Sequence, residues 1–464
     1  MNKRLAARQA LAQTISVENI SDVEIEQALM DNPEAPDVTV SEVETNETGE
    51  LDQLHDRTEQ LCQTYISLEG IQERIQGSLS KGGLSYYGRH FALLSISEAA
   101  LEGYSLEYAN DVPSLESFNV SMEETSKLLK ALKWLLKTIW DALVDAIKEL
   151  YDIGKRTYEK YFSYTARLAR RANKLGKRLR DVEGRSPAKE ELSLKGEMQA
   201  LSLNGVLPEK IAPHLTDFNK HVEAVLIHYV NESYLFASRI SDFMASVNFS
   251  DAGQFVGTSQ AVRQLSAPEL FTVEQDEAVS EDHGYEYYRT PLFLGDKTIH
   301  LKKVSDRHLA RQADTYPDGV GRSVAKIRDD LQAQRHYLRS HRTATSLGDM
   351  TKTMTPQSSD LQSILSAVLT GCNYFVDYQK DYKRRNSLVK QLEKAGEDYR
   401  KLASAMTIPE GRDGYVTLAG AVLTLPETAI KYLDRPVADF YAHALKVYVT
   451  ALDLVEQALD EYGV

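Results

Sequence analysis

Cationic side chains are concentrated between residues 155 and 180, where ten of them stand against one acid, Glu159, for a net charge of +9 over 26 residues. Lys and Arg bind phosphate groups, and tyrosines between them suit stacking on bases. Three interpretations stay open: nucleic-acid contact, a clamp on an acidic segment of this chain or another subunit, and a solvated helix face. The ten candidate contact residues are Lys155, Arg156, Lys160, Arg167, Arg170, Arg171, Lys174, Lys177, Arg178 and Arg180.

An acidic segment precedes this basic one. Between Glu18 and Asp52 there are 12 acids and no Lys or Arg, with Pro33 and Pro36 in the middle. This composition predicts a solvated, disordered arm, which either keeps the chain soluble or serves as a removable or partner-binding segment.

Residues that could catalyse a reaction or bind a metal are few. His221 and His228 lie seven positions apart near Glu223, but no third ligand is identifiable. Cys62 would need a positioned base to act as a nucleophile. Because the usual enzyme signatures are also absent, we predict no catalytic, cofactor or metal residue and no enzymatic activity.

Composition bounds the remaining possibilities. The chain has 464 residues and only two cysteines, which excludes a disulfide framework. Its net charge of −14 argues against a general nucleic-acid coat. No uncharged run reaches the roughly 18 residues that span a bilayer. We therefore expect a protein kept in a reducing compartment, with more than one packed unit.

The elements that position the basic stretch begin with a long helix after the capping sequence Ser121-Met122-Glu123-Glu124. An apolar stripe at steps of three and four residues follows, comprising Leu128, Leu132, Leu135, Ile139, Leu143, Ile147, Leu150 and Ile153, and Trp134 and Trp140 widen it. The pattern favours packing in the protein's own core; an amphipathic helix on a membrane surface is the alternative.

The predicted fold is mostly α: a multi-helix bundle with long amphipathic helices and a small inserted β-hairpin region. The hairpin is expected from Tyr285–Arg289, Leu292–Leu294 and Thr298–Leu301, with Gly295-Asp296 as its turn. Residues 189–247 read as helical with an interruption around Asn204-Gly205 and Pro208, and Thr343–Pro356 reads as a polar linker. The predicted divisions are an acidic disordered arm (1–55), a helical leader or propeptide (56–120), long amphipathic and basic helices (121–247), an irregular region with the hairpin (248–355) and a C-terminal helical region (356–464).

Ser-x-Glu occurs five times before residue 125, ending at Glu18, Glu69, Glu107, Glu116 and Glu123, and nowhere after it. Serine shortly before glutamate is also an ordinary way to start a helix. Capping explains Ser121 best, whereas Ser114 follows Pro113 in a segment expected to be exposed.

Three segments carry a resemblance to a known class of proteins: Pro113–Phe118, the Lys/Trp helix Leu132–Trp140, and the turn Leu292–Lys297. In these the chain resembles internal virion proteins of large tailed bacteriophages, components of the inner head or prohead core. The resemblance covers residues 100–300. It leads us to expect Asn after the turn glycine, where this chain has Asp296.

This resemblance implies a structural protein of the phage head interior, present in the host cytoplasm during assembly, with other virion or capsid proteins as partners. It also implies trimming by a prohead protease, with Glu69, Glu107, Glu116 and Glu123 as candidate cleavage points. Non-specific contact with packaged DNA is the further expectation, and membrane contact is not expected. The alternative is an α-helical binding or membrane-active protein, similar to a pore-forming toxin.

Overall fold

The computed structural model describes residues 39, 47–79, 122–182, 184–195, 198–246, 265, 268, 274–275, 284–305, 328, 330–340, 351–405 and 421–463. Its helices are α1 (Glu47–Leu79), α2 (Met122–Arg180), α3 (Ile211–Glu223), α4 (Val230–Ser246), α5 (Ser358–Ala405) and α6 (Leu425–Glu461). A π-helical turn, Ala224–Tyr229, joins α3 directly to α4. The prediction of a mostly helical fold with long helices is confirmed.

Helix α6 forms the centre of the fold. Its buried residues lie on all sides, from Leu425 to Leu459, and it packs against α1, α2, α4 and α5. A helix that is apolar all round is buried rather than amphipathic. Three charged residues, Glu427, Lys431 and Asp434, are buried within this helix, and they require partners on its neighbours.

The apolar stripe of α2 packs internally, as predicted. Leu132, Leu135 and Ile139 are fully buried, and the main contact of the stripe is with α1. Trp140 is buried, with its ring centroid 5.6 Å from that of Tyr65 on α1, and Trp134 is half-buried. The stripe is therefore used inside the protein.

Within the part of the chain that the structure describes, the strands form two small antiparallel sheets. One has the order β2-β3-β4-β5, from Glu274–Gln275, Tyr285–Arg289, Lys297–Val304 and Arg335–Ser340. The other is a ribbon of β1 (Glu191–Ser193) and β6 (Lys352–Met354).

The predicted hairpin corresponds to β3 and β4, and its turn is at Gly295 and Asp296, whose φ angles are 81° and 52°. The strand predicted at Leu292–Leu294 is wrong, since Phe293 makes only an isolated bridge to Lys297 around the turn. The segment predicted as a linker contains β6. Residues 189–247 are helical only from Ile211, apart from a short 3-10 turn, because β1 and an irregular stretch precede α3.

The hydrogen bonds of Asp296 explain why this turn accommodates an acidic residue. Its carboxylate accepts hydrogen bonds from Ser202 Oγ at 2.6 Å and from the Gly205 amide at 3.0 Å. A short polar side chain is among the few that adopt positive φ readily. The turn is thereby held to the loop before α3.

Among the described residues, no helix contains an apolar stretch suited to crossing a membrane. The same residues contain no group of three or more His, Cys, Asp or Glu side chains placed to hold a metal ion.

Candidate nucleic-acid and partner interface

The ten predicted contact residues all lie on the C-terminal half of α2, but their environments differ. Five are exposed: Lys155, Arg156, Lys174, Lys177 and Arg180. Three are half-buried, namely Lys160, Arg170 and Arg178, and two, Arg167 and Arg171, are buried. The basic run is therefore not one uniform surface.

Arg171 is used inside the molecule. Its guanidinium lies 2.7 Å from Asp453 Oδ1 and donates a hydrogen bond to Glu456 on α6. Burial alone would lower the pKa of Arg171, but the hydrogen bond to Glu456 and the charge of Asp453 raise it above its usual value. Arg171 is a fixed cation at the α2–α6 contact.

Arg178 repeats this arrangement two helical turns later. Its Nη2 lies 2.9 Å from Asp460 Oδ1, and its Nη1 lies 3.5 Å from Glu456 Oε1. We call Arg171, Arg178, Asp453, Glu456 and Asp460 the arginine ladder. Its three acids, Asp453, Glu456 and Asp460, lie on α6 and neutralise part of the charge of the basic run. The predicted clamp on the acidic arm stays a prediction, because most of that arm lies outside the described residues.

Lys174, Lys177 and Arg180 form a contrasting group, which we call the basic edge. All three side chains are exposed, and among the described residues they have no ion-pair partner. They span six helical steps, about 9 Å along the axis. By comparison, the exposed Lys155 is 3.7 Å from Glu159, and Arg156 donates to the Asp152 carbonyl.

The tyrosines of the basic run do not form a stacking surface. Tyr158, Tyr161 and Tyr164 are all buried, and Tyr158 lies 4.9 Å from Tyr382 on α5. Tyr161 stacks on Tyr441 of α6 at 5.2 Å. The interpretation that these rings stack on bases is wrong, because helical spacing turns them into the bundle.

The candidate cleavage residues fall in two groups. Glu69 lies within α1, and Glu123 is the second residue of α2. Glu107 and Glu116 lie outside the described residues.

The histidines and cysteines considered for catalysis are not brought together. His221 packs on the Phe293 ring at 5.0 Å, and burial lowers its pKa to about 4, whereas His228 is exposed. Cys62 and Cys372 are both buried, and burial raises the pKa of each thiol, which disfavours the nucleophilic thiolate.

Sequence reasoning missed a charged contact between α1 and α6. Lys431 Nζ lies 2.6 Å from Glu59 Oε2, and Arg435 Nη1 lies 3.0 Å from Asp56 Oδ1. His55, beside them on α1, is fully buried, and burial together with Lys431 and Arg435 lowers its pKa. Charged residues inside the otherwise apolar α6 sequence were the available signal.

Comparison with known families agrees with this structural picture. The family described as phiKZ-like phage internal head proteins matches residues 40–457. The chain belongs to this family. As an internal head protein it is a structural component associated with other virion components in the phage head, and the predicted resemblance is confirmed. No curated protein and no solved structure matches the chain.

Proposed function

We propose that this internal head protein is a non-catalytic scaffold of the head interior that contacts packaged duplex DNA, without sequence preference, through the basic edge of α2. The observation that carries the proposal is the division of the basic run. Arg171 and Arg178 are neutralised by α6, while Lys174, Lys177 and Arg180 remain exposed on the same helix.

Phosphate contact suits this geometry because it needs charge and reach rather than an enclosed site. The rigid helix holds three cations over about 9 Å, comparable to several phosphate steps at about 1.7 Å per charge along duplex DNA. The contact is expected to be weak for each molecule, because three cations release few counterions. Many copies in one head would add such contacts together.

We also propose that a prohead protease trims the chain after Glu107 or Glu116 rather than after Glu69 or Glu123. Proteases cut most readily in exposed irregular segments, and Glu69 lies in the hydrogen-bonded backbone of α1. Cleavage after Glu123 would occur in the first turn of α2, at the start of the stripe that packs on α1. Identification of the mature N-termini in purified virions by mass spectrometry tests this proposal.

DNA contact is tested by electrophoretic shift of a duplex with a variant in which Lys174, Lys177 and Arg180 are all changed to Gln. We expect weaker binding, and the slope of log affinity against log salt should become shallower by up to about 3, roughly 0.9 per phosphate contact. The natural chain and the variant are compared at two salt concentrations.

The matched control changes Lys130, Lys133 and Lys137 to Gln. These exposed lysines lie on the same helix, outside the basic run. Changing them to Gln removes three positive charges, as many as the first variant removes. Retained binding in this control and reduced binding in the first variant support the proposal. Equal losses in both variants, or no binding by the natural chain, would refute it.

A further inference from the structure

One face of the four-stranded sheet carries aromatic rings and cations in alternation. The register places Tyr287 opposite Lys302, and His300 opposite both Arg289 and Tyr337. Directly paired residues of an antiparallel sheet share a face, and so do alternate residues of one strand. This face, which we call the aromatic sheet face, carries Tyr285, Tyr287, Arg289, His300, Lys302, Tyr337 and Arg339, and the register also places Thr298, Val304 and Arg335 on it.

Ring contacts order the aromatic sheet face. The His300 and Tyr337 rings stack with centroids 5.4 Å apart and planes at 22°, and Lys302 Nζ lies 4.0 Å from the Tyr285 ring centroid. The rings of Tyr285, Tyr287, His300 and Tyr337 are half-buried, while Arg339 is exposed. Flat rings are therefore held in fixed positions with part of their surface accessible.

The opposite face of the same strands packs against the interior of the protein. Ile299, Leu301 and His336 are buried there, and His336 packs against the Tyr229 ring at 5.0 Å. This face attaches the sheet to the helical core. On the aromatic sheet face Thr298 and Val304 are buried, whereas the rings of Tyr285, Tyr287, His300 and Tyr337 are only half-buried.

The charged side chains that β3, β4 and β5 place on the aromatic sheet face are all cationic. On β3, β4 and β5 its described charged side chains are Arg289, Lys302 and Arg339, and the one acid of these strands, Glu286, lies on the other face. At the sheet edge, Glu274 of β2 is the register partner of Arg289. Cations beside flat rings are complementary to a phosphate backbone with accessible bases.

We propose that the aromatic sheet face binds single-stranded or locally unpaired DNA by stacking bases on its rings while its cations contact phosphates. This site is separate from the duplex contact proposed for α2, and neither proposal requires the other. Single-stranded nucleic acid is favoured over duplex because stacking on a ring needs an unstacked base.

The proposal is tested with the full chain and a fluorescently labelled oligothymidine of about ten nucleotides, followed by anisotropy at two salt concentrations. Tyr287→Ala and Lys302→Gln are the face variants. Neighbouring residues on the other face of the same strands supply matched controls, Tyr288→Ala and Lys303→Gln, and both positions are half-buried like the face residues. Thermal unfolding of each variant verifies that it folds.

We expect Tyr287→Ala to weaken binding about tenfold, as is usual for loss of one stacked base. Lys302→Gln should make the salt dependence shallower, and the two control variants should bind like the natural chain. The α2 variant with three Gln substitutions should retain oligothymidine binding, which separates this site from the duplex contact. Absent binding by the natural chain, or equal effects of face and control variants, would overturn the proposal.

Discussion

Arg385 of α5 and Asp434 of α6 form a two-pronged ion pair in the core, with both N···O distances at 2.6 Å and neither side chain accessible to solvent. The rings of Tyr158 and Tyr382 lie 5.7 and 5.3 Å from the guanidinium carbon. At Gly154 of α2, a Cβ atom would come within 2.9 Å of Arg385 Nη2. Three helices therefore meet at one buried charge pair.

Removing one member of this pair is expected to destabilise the fold strongly. Arg385→Met leaves the Asp434 carboxylate buried without its cation, which typically costs about 3–5 kcal/mol. Urea unfolding followed by circular dichroism measures the loss. The double variant R385M/D434L should recover much of it, because two apolar side chains need no charged partner. This account would be contradicted if the double variant lost as much free energy of unfolding as Arg385→Met and Asp434→Leu lose together.

Two helical glycines should respond in opposite directions to substitution by Ala. At Gly371 of α5 a Cβ atom would overlap the Tyr448 hydroxyl, which is held by its hydrogen bond to Asn219. At Gly176 of α2 nothing lies within 4 Å. Gly371→Ala should therefore destabilise the protein, while Gly176→Ala should stabilise it by up to about 1 kcal/mol through helix propensity. Thermal melting of both variants tests the pair, and a stabilised Gly371→Ala would count against the close packing of α5 on α6.

Helix α1 should remain bound after the chain is cut between α1 and α2. It buries Leu61, Leu68 and Ile75 in the core, and its Glu59 pairs with Lys431. A recognition sequence for a specific protease, introduced after Glu116, allows the cut to be made in the folded protein. Size-exclusion chromatography should then show both fragments eluting together.

The control for this experiment adds Leu61→Asp and Leu68→Asp, which place charges in the apolar contact and should release the N-terminal fragment. If the fragments of the cut chain without these two Asp substitutions eluted separately, the contact of α1 with the core would be too weak to keep the N-terminal fragment bound. Cleavage in that case would expose the apolar stripe of α2.

Acid should destabilise the protein through its buried histidines. Burial lowers the pKa of His336 to about 3 and that of His443 to about 4, below their ordinary value near 6.5. The unfolded chain therefore binds more protons than the folded chain between about pH 6.5 and 4, and stability falls as pH falls through this window. Each group contributes a slope of up to about 1.4 kcal/mol per pH unit.

Urea unfolding at pH 7, 5.5 and 4.5 measures this dependence. His443→Gln retains a donor for the Leu294 carbonyl, which His443 Nε2 contacts at 2.8 Å, but it cannot be protonated. This variant should show a smaller loss of stability between pH 7 and 4.5. An unchanged loss would show that His443 does not contribute to the acid sensitivity.

Local sequence patterns determined the helical fold and the positions of α2, β3 and β4. The stripe from Leu128 to Leu150 repeats at helical spacing, and Gly295-Asp296 suits positive φ, so both features are encoded by near neighbours. The resemblance to phage internal head proteins also rested on short segments of this kind. The strand β5 was missed because Arg335–Ser340 has no clean alternation and gains its place only by pairing with β4.

Tertiary structure alone decided which charged residues are paired in the interior and which are exposed to solvent. Sequence placed Arg171 and Lys174 in one basic run, three positions apart, with nothing to distinguish them. Packing of α2 on α6 sets Asp453 and Glu456 against Arg171 and leaves Lys174 exposed. Arg385 and Asp434 are 49 positions apart, and only the contact of α5 with α6 makes them a buried pair. The physical reason is that a charge's energy depends on its solvent exposure and on neighbours distant along the chain, which no local pattern specifies.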